Sequence, residues 1–200
     1  MPIMRESSRT QRTRDAVVRA AVALLLEAGT SALTVEAVVQ RSGVARSTIY
    51  RHWPTRTEMV AAAFAELLPE LVAPEVTGDL SHQLEALLCP LADQIGTEEF
   101  AALVPSLLAG AARDPELAPF HAEFVSRQRE PVRGVLRRAV EEGALGEVDL
   151  DEAVSQLVGP LLFQRVILDE SVGPGFARRL IADFLAAHPP GEQRPKGPTA

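Results

Sequence analysis

The chain has 200 residues, 46% hydrophobic and 24% charged, with a net charge of −7, a globular composition long enough to bury a core. One cysteine, Cys89, excludes an internal disulfide and a cysteine-based metal site, and the four histidines (52, 82, 121, 188) show no metal-ligand spacing. No apolar run reaches the roughly eighteen residues of a membrane span, and the basic N-terminus leads into no apolar leader segment, so a cytoplasmic protein without a membrane partner is expected.

In chain order the pattern predicts helices and almost no strand. Ala16, Val17, Ala20, Ala21, Leu24 and Leu25 recur at three- and four-residue spacing over Thr10–Ala28, and Gly29 is placed to end that first helix as a left-handed cap. Thr34 stands as an N-cap before a short second helix, VEAVVQRS, which Gly43 terminates. A third short helix, VARSTIYRH, buries Val44, Thr48 and Ile49 and stops at Pro54. Thr55 and Glu58 make a capping box that opens a fourth. Further helices are expected over 80–95, 98–112 with Thr97 as its cap, 114–142 from an Asp-Pro-Glu start, 151–168, and 174–187. The proline- and glycine-rich tail, 189–200, is expected to be disordered, as are residues 1–9. The expected division is therefore a head of short helices over 10–56, with its two shortest helices at 34–53, and a helical body over 57–188.

Charge separates the same two parts. Residues 1–60 hold nine arginines against five acids, whereas the rest hold eleven basic and twenty-two acidic side chains. A basic head suits a polyanion, and an acidic body is repelled by one. Two short helices joined by a glycine turn after a longer helix are a helix-turn-helix pattern. Burying Val44, Thr48 and Ile49 turns Ala45, Arg46, Ser47, Tyr50 and Arg51 outward, a hydrogen-bonding face that a plain bundle has no reason to present.

The segment LTVEAVVQRSGVARSTIYRHWPTRTEMVAAAF resembles the DNA-binding domain of the tetracycline-repressor (TetR) family of one-component regulators, over about residues 10–60. The shared features are the threonine opening helix 2, the glycine turn followed by valine, the T-I-Y core of the recognition helix, the aromatic and histidine after it, and the basic residue opening helix 4. LRRAVEEGALGEVDLDEAVSQLVGPLLFQRVIL resembles one of that family's effector and dimerisation domains. The resemblance implies an all-α fold of nine helices, a three-helix head joined to a ligand-binding and dimerising bundle. It also implies a homodimer on a double-stranded DNA operator, released by a small effector, with no cofactor.

Carried over residue by residue, the resemblance assigns roles that the chemistry supports. Thr34 is expected to set its hydroxyl and the first amides of helix 2 against a phosphate. Arg46, Ser47 and Ala45 are expected to meet base edges in the major groove. Tyr50 and His52 bond phosphates, and Thr55 and Arg56 grip the backbone at the start of helix 4. For Arg41 and Arg51 a solvated surface arginine is the competing reading. Trp53 beside Pro54 is read as a staple between helices rather than a contact. Arg5, Arg9, Arg12 and Arg14 form an N-terminal arm able to reach a minor groove.

In the body the predicted eighth helix is apolar nearly all round and must be covered on several sides. Val154, Leu157, Leu161, Arg165 and Leu168, with Phe176, Leu180 and Phe184 of the ninth, are the expected dimer interface; satisfaction of both stripes inside one subunit is the alternative. Pro131 and Gly159-Pro160 should kink their helices and open a cavity. Phe100, Leu103, Leu107, Phe124, Phe163, Gln164 and Ile167 are the expected lining for a mostly apolar effector. No nucleophile, phosphate-loop or metalloprotease motif is present, so no enzyme is expected. The alternative of another class is an all-helical small-molecule- or partner-binding dimer with no working operator.

Overall fold

A computed structural model describes residues 8–68, 71 and 78–190. Among them all regular structure is helical: α1 Ser8–Ala28, a 3₁₀ turn at Thr30–Ala32, α2 Val35–Ser42, α3 Arg46–His52, α4 Arg56–Leu67, α5 Leu80–Ile95, α6 Glu98–Arg113, α7 Ala118–Glu141, α8 Leu150–Leu162, a π turn at Phe163–Ile167, and α9 Pro174–Ala187. The expected arm and tail fall almost wholly on residues 1–7 and 191–200, outside the described residues.

The ends of these helices follow local chemistry. Thr34 Oγ1 accepts the Ala37 amide at 3.2 Å and Thr55 Oγ1 accepts the Glu58 amide at 3.1 Å, each satisfying a donor that the first turn leaves open. The Thr55 hydroxyl also donates to Glu58 Oε1 at 3.2 Å, which holds the two capping side chains together. Gly43 closes α2 at φ 69°, ψ 7°, the left-handed region. Gly29 has a positive φ, 75°, but ψ is −173°, so it turns the chain away from α1 without being the expected left-handed cap. Its amide still returns to Leu25 O at 2.9 Å.

The described chain forms two compact units. The first comprises residues 8–68 together with 98–124. Within it α1 packs on α2, α4 and α6, and α2 packs on α3. The core is built from Val17, Ala21 and Leu25 of α1, Val38 of α2, Ile49 of α3 and Met59, Val60, Ala63 and Phe64 of α4, all at most 2% exposed. Helices as short as α2 and α3 do not persist alone in water, so this burial is what holds them. Phe64 also meets Phe120 and Phe124 of α7, with ring centroids 6.0 and 6.3 Å apart.

The second unit comprises residues 71, 78–97 and 125–190, and in it α5 lies along α9 while α8 packs on both. Its core includes Leu84, Leu88, Val132, Leu136, Val154, Leu157, Leu161 and Ile181.

Several elements differ from their sequence expectation. The compact unit that contains α1–α4 is larger than the head expected over 10–56, because it also takes in α6 and the start of α7. The 3₁₀ turn is seated on α6: the Thr30 amide donates to Ser106 Oγ at 3.1 Å, and a Cβ on Gly110 would collide with the Thr30 side chain. The Asp-Pro-Glu segment does not open α7. Asp114 Oδ1 instead accepts the Glu116 amide at 3.0 Å in a turn that precedes Ala118. The eighth helix does not run regularly to Leu168. It gives way two residues after Pro160 to a π turn, in which the Leu168 amide reaches Phe163 O at 3.1 Å. As expected, Pro131 lies inside α7, and α5 and α6 likewise contain Pro90 and Pro105.

Candidate nucleic-acid interface

The helix-turn-helix exposes the face that its inward residues dictate. Ile49 is fully buried and Val44 and Thr48 half-buried, while Ala45, Arg46, Ser47, Tyr50 and Arg51 are exposed. Tyr50, the sole tyrosine, is 44% exposed, so its hydroxyl is open to a partner outside the chain. His52 is half-buried, its ring 5.6 Å from that of Trp53. Trp53 is 5% exposed and forms the C-cap of α3, the position of a staple.

Thr34 and Thr55 stand at the N-termini of α2 and α4, where helix dipoles favour an anion. Each hydroxyl already accepts one amide of its own helix. Ala45 holds the N-cap position of α3 but, having no polar side chain, makes no cap bond there.

The arginines divide. Arg56, expected on the DNA backbone, is turned into its own unit: Nε donates to Leu33 O at 3.0 Å, Nη2 to Thr30 O at 2.5 Å and Nη1 to Asp114 Oδ2 at 2.5 Å. A guanidinium fork with three protein acceptors holds the α1–α2 connection to the start of α4 and the end of α6. Arg41 is closed by Glu27, Nη1 to Oε2 at 2.5 Å and Nη2 to Oε1. That hydrogen bond, helped by the opposite charge, pulls the Glu27 carboxyl below its ordinary value and raises Arg41 above its own. Arg46 pairs with Glu36 of α2. Arg51 has no ion pair among the described residues. Of the arm, Arg12 and Arg14 lie on α1, while Arg5 and the Arg9 side chain lie outside what is described.

Glu27, Glu36 and Asp114 were not legible as partners of these arginines. Asp114 and Arg56 are 58 residues apart, and the only local signal at Asp114 was for a helix start.

The residues expected to line a ligand cavity are divided between the units. Phe100, Leu103 and Leu107 are at most 7% exposed, in the first-unit core, and Phe124 is half-buried there. Phe163, Gln164 and Ile167 belong to the second unit's π turn, with Phe163 and Ile167 54% and 66% exposed. A π turn brings residues four and five apart to one side, so Phe163, Ile167 and Leu168 present an outward apolar strip. The expected dimer interface divides as well. Val154, Leu157, Leu161 and Phe184 are at most 5% exposed within the single chain. These four are core, because α8 turns its stripe of Val154, Leu157 and Leu161 onto α5 and α9, and α9, which carries Phe184, packs on α5 and α8. Arg165 is also buried, paired with Asp169 at 2.5 Å, where the backbone takes φ 53°. Phe176 and Leu180 are half-buried and Leu168 exposed.

Two family models match the chain. That of the bacterial regulatory proteins, tetR family, covers residues 17–63, and that of the tetracyclin repressor-like C-terminal domain covers 74–184. An uncharacterized HTH-type transcriptional regulator of Mycobacterium tuberculosis is 29% identical over 164 residues, 81% of this chain and 80% of that protein. The uncharacterized HTH-type regulator YdeS of Bacillus subtilis is 25% identical over 183 residues, 90% and 92% of the two chains. A solved TetR family transcription regulator superposes with a TM-score of 0.66 at 29% identity, over 88% of this chain and 97% of that one. Among the described residues no helix is long and apolar enough to cross a membrane.

Proposed function

Because this chain belongs to the tetracycline-repressor (TetR) family of transcriptional regulators, which are DNA-binding proteins and not enzymes, we propose that it is a ligand-responsive repressor that binds a palindromic operator as a homodimer in the cytoplasm. The observation that carries this reading is the exposed α3 face of Arg46, Ser47, Tyr50 and Arg51, a set of donors on a helix whose opposite side is anchored by fully buried Ile49 and half-buried Thr48. One short recognition helix reads too few bases to find a site alone, so two copies are required. The strip of Phe163, Ile167 and Leu168, with half-buried Phe176 and Leu180, supplies an apolar surface for the second copy.

The reader and the positioning residues divide by chemistry. Arg46 and Ser47 read base edges, with Ala45 admitting close approach. Tyr50, Arg51 and His52 meet phosphates, and Thr34 and Thr55 present helix N-termini to them. Arg56 acts one step behind, holding the head in shape. The effector is small and mostly apolar, and it is placed beside Phe100, Leu103, Leu107 and Phe124. These side chains support the placement because α4, which opens at the DNA-binding face, ends with Phe64 against Phe120 and Phe124. A ligand shifts the DNA equilibrium only by its preference for one arrangement, about 1.4 kcal/mol for a tenfold effect. Selection of genomic fragments by the full-length protein, followed by sequencing, tests the reading: an inverted repeat is expected, and failure to enrich any motif sinks it.

A further inference from the structure

Glu36 and Arg46 form an ion pair across the front of the helix-turn-helix, joining the second residue of α2 to the first residue of α3. Both side chains stay more than half exposed, at 61% and 55%. A pair this open to water contributes little to folding, so its consequence lies in what the surface can meet. Glu36 also stands two residues after Thr34, on the helix end where a phosphate would approach. A lone carboxylate there repels a polyanion. Paired with Arg46 it is neutralised, and any event that takes Arg46 away re-exposes its charge.

We propose that Glu36 is a specificity-determining residue of this head, reading DNA jointly with Arg46 and penalising sites that satisfy Arg46 alone. This rests on α3 being the reading helix. A G·C pair presents guanine N7 and O6 as acceptors and the cytosine N4 amine as a donor in one row along the major groove. The guanidinium fork matches the first two, and a carboxylate beside it matches the third. Such a site replaces both halves of the protein's own ion pair. When Arg46 turns to a phosphate at an unrelated sequence, Glu36 is left unpaired beside the DNA backbone, a repulsive element that discriminates against the wrong partner. Arg46 and Glu36 therefore act as one unit, a donor fork with an adjacent acceptor.

The test uses the full-length protein, the duplex it enriches most in selection and a scrambled duplex of the same composition, with thermal melting to confirm folding. Glu36→Ala is expected to tighten binding to the scrambled duplex and to lower the ratio of enriched to scrambled affinity about fivefold, the lower end of one good base contact. On the scrambled duplex the gain should come from removing the carboxylate that repels the phosphates, since Arg46 already meets a phosphate there, so it should shrink as salt rises. In an Arg46→Ala background, Glu36→Ala should lower the ratio no further. An affinity ratio unchanged by Glu36→Ala, in a protein that does enrich a motif, overturns this inference alone. A wild-type protein that enriches no motif overturns the DNA reading beneath it, and this inference with it.

Discussion

Arg56 Nη1 lies 2.5 Å from Asp114 Oδ2, 58 residues further along the chain, and the same guanidinium holds Thr30 O and Leu33 O. One side chain thus ties the α1–α2 connection, α4 and the end of α6 into one unit. Both partners are about three-quarters covered, at 26% and 30% side-chain exposure, so screening is reduced but not removed. Arg56→Ala leaves two backbone carbonyls and a carboxylate without their donor. Thermal or urea unfolding should show a loss of about 1–3 kcal/mol. The salt slope of DNA binding, measured below the melting transition, should stay as in the wild type. A slope lower by about one unit would return Arg56 to the DNA backbone.

Arg46 and Tyr50 should separate by kind of defect. Arg46→Ala is expected to relax preference at one base pair per half-site, at about 1–3 kcal/mol. Tyr50→Phe removes a single hydroxyl from an exposed ring and should weaken binding to all sequences alike. Motif selection with each variant distinguishes them, since only the first should alter the logo. In the wild-type motif the half-site centres should lie about 34–36 Å apart or a multiple of that spacing, one turn of DNA.

The two faces of the α8 region should answer differently to substitution. Leu157 is fully buried within the single chain, so Leu157→Ala should cost each chain about 2–5 kcal/mol through lost transfer and a cavity. Ile167 is 66% exposed, so Ile167→Glu should change the stability of the isolated chain by no more than about 0.5 kcal/mol. It should nevertheless shift a dimer toward monomer in sedimentation at micromolar concentration. A wild-type mass already monomeric there would remove the homodimer.

Cys89 should be a slow nucleophile. Burial pushes its thiol above the ordinary value of 9.0, with Glu85 and Asp93 adding to the shift and Arg178 opposing it. A raised value keeps the unreactive thiol form as pH rises, since the thiolate is what attacks. Iodoacetamide labelling of the native protein at pH 9 should therefore lag behind labelling in urea. Equal rates in both would show that burial does not govern this thiol.

The sequence by itself determined the helices that carry the reading. Caps are local chemistry: Thr34, Gly43, Thr55 with Glu58, and Pro174 each act on groups within a few residues, so α2, α4 and α9 begin or end where their letters indicate. The same holds for the outward face of α3, because burying Val44, Thr48 and Ile49 leaves a helix no other side to present. The start of α7 was misread for a related reason. Asp114 does cap an amide two residues on, but that motif serves a turn as well as a helix.

Only the tertiary structure decided how the arginines are used and which apolar stripe is core. Arg41, Arg46 and Arg56 look alike in sequence, each a basic residue in a basic head. Their acidic partners Glu27, Glu36 and Asp114 lie 14, 10 and 58 residues away, and no local pattern encodes a contact at such separations. On α8, apolar residues all round showed that several sides must be covered without saying by what. Packing against α5 and α9 claimed Val154, Leu157 and Leu161, and the π turn after Pro160 rotated Phe163, Ile167 and Leu168 outward. Hydrophobicity is non-directional, so a sequence fixes how much apolar surface must be buried, whereas the partner that buries it exists only once the chain has folded.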